Sequence, residues 1–171
     1  MKSFFAATLI GYAASAPIPI PDIYSLTTVE YNEMLAGVVY GILDKNNEVE
    51  IETCLVDGEN EAIAVFGVFE DYRHGDWVKG SKALNQVIQT LPTLKAACSV
   101  ATLQADVLDL EAWATFFLQP PATVESDIKK NVIRHSIALT LDLKTAENYW
   151  TSAEYFKFGM EVGIMAVIAT Q

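Results

Sequence analysis

The chain has 171 residues, of which 51% are hydrophobic and only 19% charged, with a formal net charge of −11. These values exclude a disordered polymer, which is rich in charge and poor in apolar residues, and suit a single domain large enough to bury its own core. The acidity excludes nucleic acid as the natural ligand and argues against attraction to anionic lipid, because both carry charge of the same sign.

In chain order, Lys2 is followed by the apolar run Phe4-Phe5-Ala6-Ala7-Thr8-Leu9-Ile10 and then by the small residues Ala13-Ala14-Ser15-Ala16. A positive start, a short apolar stretch and small residues before a cut are the three parts of a secretory signal. The reading is a signal peptide over residues 1–15 and a secreted, extracellular protein; a buried N-terminal helix is the alternative. Residues 16–26 follow as an extended arm. Its core, Pro17-Ile18-Pro19-Ile20-Pro21, cannot be helical and favours polyproline II. The arm either straps its own domain or docks on a neighbouring copy. Cys54 and Cys98 are the only cysteines. In an exported chain an even count predicts a disulfide, whose loop closure would add about 4 kcal/mol in the chain-entropy model. Two buried thiols are the alternative if the chain is not exported.

Residues 27–171 read as an all-α, single-domain bundle of about six to seven helices. Thr27 and Glu30 have capping-box spacing ahead of a helix to Leu43, whose apolar positions are Tyr31, Leu35, Val38 and Ile42. A short helix around Glu50–Val56 carries Cys54, and Asp57-Gly58 ends it. Glu59–Arg73 is the next, closed by a His74-Gly75 turn. Asp76 is placed as the cap of a helix from Trp77 to Leu91, and Pro92 as the start of a short helix bearing Cys98. Thr102 is placed as the cap of a helix with the seam Leu103, Val107, Leu110, Ala114 and Phe117, stopped by Pro120-Pro121. A long helix is expected from Thr123 to Trp150. Ile128, Val132, Leu139, Leu143, Ala146 and Trp150 make one stripe on it, and Ile133, Ile137 and Leu141 a second. Two apolar stripes predict a central helix packed on both sides. A last, mostly apolar helix runs from Ala153 to Ala169. Gly37 and Gly41, and again Gly159 and Gly163, have the spacing that lets helix backbones approach closely. They are candidate interaction residues, together with Pro17, Ile18, Pro19, Ile20 and Pro21.

Candidate chemistry is sparse. Asn131, His135 and Asp142 fall on one side of the expected long helix, which would suit a general base, but no nucleophile accompanies them; a buried polar cluster fixing helix register is the preferred reading. His74 has no second ligand at zinc-site spacing. Asp44, Asn46 and Glu48 begin like a calcium loop, but Val49 and Leu55 stand where Gly and Glu are required. Asp57, Glu59 and Glu61 read as the acidic start of a helix. Pairs such as Glu70 with Asp71, or Asp106 with Asp109, read as water-facing acids. The aromatic residues read as core. No cofactor, metal site or catalytic residue is expected.

The order of these features carries a resemblance. A secretion signal, a Gly-bearing first helix and Cys54 are followed by Thr90-Leu91-Pro92-Thr93-Leu94-Lys95-Ala96-Ala97-Cys98. A helix with Glu111-Ala112-Trp113 comes next, then Pro120, Asn131 and His135, and finally the acidic-aromatic motif Glu154–Gly159 with Gly163 beyond. The chain resembles a group of small secreted, disulfide-containing helical proteins abundant in ciliated protozoa. The resemblance implies a helical fold and secretion, and it brings no activity and no catalytic residues. The function expected is non-enzymatic: an extracellular interaction or self-assembly subunit, partnered by further copies or another extracellular protein. The alternative is a carrier of lipid or another apolar ligand.

Overall fold

The structure is a computed structural model. It describes residues 22–45, 58–95 and 101–171, of which 91–95 and 101–107 by their backbone alone. The expected signal peptide, the Pro17–Pro21 arm, the Glu50–Val56 helix and both Cys54 and Cys98 lie outside the described residues. Within them the fold is all-α, with no strands. Seven α-helices follow a 3-10 turn at Ile23–Ser25: α1 (Thr28–Leu43), α2 (Glu59–Arg73), α3 (Trp77–Lys95), α4 (Ala101–Ala114), α5 (Pro121–Arg134), α6 (Ser136–Thr151) and α7 (Tyr155–Thr170). A second 3-10 turn, Thr115–Leu118, links α4 to α5.

Local chemistry sets the ends of these helices. Thr27 and Glu30 form the expected capping box at the start of α1, each closing on the other's backbone. α2 ends in a Schellman motif: Gly75 N–H donates to the Tyr72 carbonyl and Asp76 N–H to the Asp71 carbonyl, with Gly75 at φ 84°. α6 ends in the same way, Ala153 N–H donating to Trp150 O and Glu154 N–H to Tyr149 O. Here the left-handed position is held by an alanine at φ 56°, a conformation that crowds Cβ against the following carbonyl.

The tightest pairing joins the first and last helices. A Cβ built on Gly37 would overlap the carbonyl oxygen of Phe156, and one on Gly41 that of Met160. In return, a Cβ on Gly159 would overlap the Met34 carbonyl, and one on Gly163 would lie 2.5 Å from the Val38 carbonyl. The contacts advance together along both helices, so α1 and α7 run parallel with their backbones nearly touching. The four glycines offered by the sequence as candidate interaction residues thus face each other inside the molecule, and the surface they build is an internal seam.

Around this seam lies one aromatic-rich core. Trp150, Phe158, Phe69 and Tyr72 are fully buried, and Trp150 sits between Phe66 (ring centroids 4.5 Å apart) and Phe158 (4.9 Å). α2 and α3 form a hairpin in which Gly80 leaves room for the Tyr72 ring, 2.7 Å from where a Cβ would stand. Tyr72 also stacks on Trp77 at 4.6 Å. A smaller cluster, Val124, Ile128 and Ala169, is covered by Trp77, Val78, Phe116, Phe117 and Val132.

Two expectations are corrected. Pro92 does not begin a new helix: α3 continues through it to Lys95. The missing N–H leaves the carbonyl one turn earlier without its helical bond, and the helix ends within a turn of the proline. The expected long central helix from Thr123 to Trp150 is two helices, α5 and α6, broken at His135 (φ −107°, ψ 19°). The first stripe is buried as expected at Ile128, Leu139, Leu143, Ala146 and Trp150. The second faces solvent, with Ile133 76%, Ile137 80% and Leu141 58% exposed. The α5–α6 segment is therefore an outer wall of the bundle.

Gly37→Ala should destabilise the fold by about 2–4 kcal/mol in urea unfolding, because the obstacle is backbone and cannot rotate away. Gly67→Ala, at a helical position with open space around it, should stabilise by about 0.5–1 kcal/mol. Ala153→Gly should raise stability by about 1 kcal/mol by relieving the left-handed alanine.

Candidate functional site

The candidate polar cluster does not converge. Asn131 is buried, and its side-chain amide donates to the Ala169 carbonyl (3.3 Å) and the Gln171 carbonyl. It ties α5 to the end of α7, as Trp113 Nε1 does from α4 through Thr170 Oγ1 (3.1 Å). His135 sits half-exposed at the α5–α6 break, and its ring makes no hydrogen bond among the described residues. Asp142 faces Glu161 of α7 instead. Glu161 is only 9% exposed; burial and then the Asp142 charge push its carboxyl up to about 7. Asp142 is raised by burial as well, and its Oδ2 has no hydrogen-bond partner among the described residues. Two carboxyls thus share the α6–α7 interface, one of them, Glu161, raised far enough to titrate close to neutral pH.

The remaining sequence candidates have plain structural places. His74 is exposed in the α2–α3 turn, its Nδ1 2.7 Å from the Glu70 carbonyl. Glu59 and Glu61 stand in the first turn of α2, as their residue type favours. Asp71 pairs with Lys79 (2.7 Å) and Asp109 with Lys45 (2.5 Å). No group of three metal-ligating side chains occurs among the described residues. No helix among them is long and apolar enough to cross a membrane.

The site that stands out was not singled out in the sequence. An open groove of about 800 Å³ runs between the start of α3 and α5. Trp77, Val78, Ala83, Val132 and Ile133 give it apolar walls; Lys79, Lys82 and Lys129 line it with cations, beside Asp76 and Glu125. The Trp77 wall is braced from behind by its stack on Tyr72. Lys129 holds Glu125 at 2.5 Å, and this hydrogen-bonded pair, with Lys82 nearby, keeps the Glu125 carboxyl below its ordinary range. Lys82 forms no salt bridge among the described residues.

Ile133 lines the groove and is itself 76% exposed, at its α5 edge. One turn on, Ile137 opens the exposed face of α6, followed one turn later by Leu141, with Ser136, Thr140 and Lys144 beside them. Single exposed apolar residues are ordinary, but three at successive turns, continuous with an apolar groove, form a patch of the kind that marks an interaction site. The surroundings are electrostatically unusual for this chain. Residues 129–144 contain four of its eleven Lys and Arg (Lys129, Lys130, Arg134 and Lys144) and one of its twenty-two acids, Asp142. The sequence signal was present in the Ile133-Ile137-Leu141 stripe; reading it as buried hid the patch.

Comparison with known protein families, with curated proteins and with solved structures finds no match.

A carboxyl raised by folding is uncharged where the unfolded chain has already ionised. Glu161 should therefore remove stability as pH rises from its unfolded value of 4.5 to about 7. Glu161→Gln should flatten that decline and stabilise the protein at pH 8, by about 1–2 kcal/mol after discounting for solvent screening. Thermal unfolding at pH 5 and pH 8 measures both effects.

Proposed function

We propose that this chain is a non-enzymatic extracellular subunit that self-assembles through the groove and the apolar strip on α5–α6. The observation that carries the reading is the row Ile133, Ile137 and Leu141, which lies 76%, 80% and 58% exposed and runs on from an apolar groove. Leaving three aliphatic side chains in water forgoes about 1.5–3 kcal/mol for each that a partner could fully bury. An interface core needs an apolar centre and a polar rim; the strip has both, with lysines and Arg134 around the isoleucines. The export signal over residues 1–15, the Cys54–Cys98 cross-link and the resemblance to small secreted helical proteins belong to the same reading.

The competing reading, a carrier of lipid or another apolar ligand, draws on the same groove. A carrier must enclose most of its ligand, whereas this groove is open and its apolar surface continues outward along α6. Geometry of that kind favours a macromolecular partner over a small enclosed molecule.

Analytical ultracentrifugation of the mature protein should show mass rising with concentration. Ile137→Glu/Leu141→Glu, both at exposed positions, should leave the thermal unfolding temperature within a few degrees of wild type and keep the protein monomeric. A wild-type protein that stays monomeric at high concentration refutes the reading.

A further inference from the structure

The charge distribution of the molecule indicates what the groove receives from the next copy. Resting on the self-assembly reading, we infer that the lysine-lined groove of one copy receives the acidic end of a second copy, around the starts of α1 and α2, so that the subunits join head to tail.

Asp22 caps the N-terminal turn, Glu30 stands in the first turn of α1 and Glu59 in the first turn of α2; all three act on Tyr31, whose pKa is raised by burial and then by Glu59, Asp22 and Glu30 in turn. Glu30 and Glu33 act in the same sense on Tyr155, after burial. Tyr31 itself donates to the Ile23 carbonyl at 2.7 Å, which fixes the N-terminal turn at this pole. Glu61 stands beside Glu59 in the first turn of α2. This is a carboxylate-rich pole on an already acidic molecule.

The groove lies at the other end of the same helix. α2 begins at Glu59 in the acidic pole and ends at Arg73, and the groove lining starts at Gly75 and Asp76. A helix of 15 residues spans about 22 Å. Both surfaces are fixed to one rigid rod, so a groove cannot reach its own pole. It can reach the pole of another molecule, and that molecule's groove then remains open for a third. A heterologous contact of this kind generates a ring if its rotation closes and a filament if it does not. A groove-to-groove pair would instead bring Lys79, Lys82 and Lys129 of one copy against the same lysines of the other, a like-charge juxtaposition that opposes docking.

The test is a charge exchange in the full chain, read by sedimentation velocity at low salt. Lys82→Glu/Lys129→Glu alters the groove and Glu59→Lys/Glu61→Lys the pole; each should weaken self-association about tenfold or more. A chain carrying all four changes should recover association to near the wild-type level, because the two altered surfaces again complement each other. Raising the salt concentration should weaken wild type and the fourfold variant alike. If the Lys changes at the start of α2 prevent folding, Glu59→Gln/Glu61→Gln asks the same of the pole and should still weaken association. Wild-type assembly that the pole variants leave untouched overturns the head-to-tail pairing while leaving self-assembly standing. A wild type that is monomeric in solution, or that is monomeric and sediments only with phosphatidylserine vesicles, overturns both.

Discussion

Everything in this fold is arranged around a seam in which two helix backbones lie against each other. Glycine is required at all four positions because the opposing atoms are carbonyl oxygens and not side chains that could turn aside. Close approach of this kind lets long runs of main chain contribute dispersion and weak Cα–H···O contacts. It offsets the loss of helix propensity that two glycines impose on each helix. The seam also joins residue 37 to residue 156, so the first helix cannot find its place until the last is available. Such long-range pairing carries a large loop-closure cost and slows folding relative to a bundle of neighbouring hairpins.

Once α1 and α7 are joined, the other helices have defined duties. The α2–α3 hairpin presents Phe66, Phe69 and Tyr72 to the aromatic core, and Trp150 and Phe158 meet them from α6 and α7. Trp113 and Asn131 hold the end of α7, one through a hydroxyl and one through backbone carbonyls that a helix terminus leaves unpaired. Glu161 is the discordant member. It sits in the most apolar of the described helices, turned to Asp142 where a hydrocarbon side chain would pack without electrostatic penalty. The seam and the aromatic core supply the stability against which that penalty is set.

Much of this was legible in the sequence, for identifiable reasons. The Thr27–Glu30 box and the Glu59–Arg73 helix emerged because caps and breakers are local signals. The glycine spacing announced close helix approach but not its partner, since small-residue motifs look alike whether they join one chain or two. The break at His135 was hidden because the apolar period continues across it, Asn131 to His135 to Leu139 keeping the hydrogen-bonded spacing of one helix. Reading one helix made the second stripe seem internal. The groove was beyond sequence reasoning altogether: it is built from Gly75–Gln86 and Glu125–Ile133, segments some forty residues apart, and periodicity within one helix says nothing about which helix faces it.

A net charge of −11 opposes contact between copies in general. It opposes contact least where Lys129, Lys130, Arg134 and Lys144 gather, and that is where the exposed aliphatic strip lies. In the proposed assembly, the overall charge and the local one divide the work. The acidic surface rejects random collisions, while a region of opposite sign admits an acidic pole and brings the isoleucines within reach of a partner. Burial of Ile133, Ile137 and Leu141 then supplies affinity, and the charges supply orientation, as is general at interfaces with a desolvated apolar centre and a charged rim. Because the glycines are enclosed in the α1–α7 seam, this division requires no rearrangement of the bundle: the surface that would meet a partner is already formed, on helices whose inner faces are buried in the core.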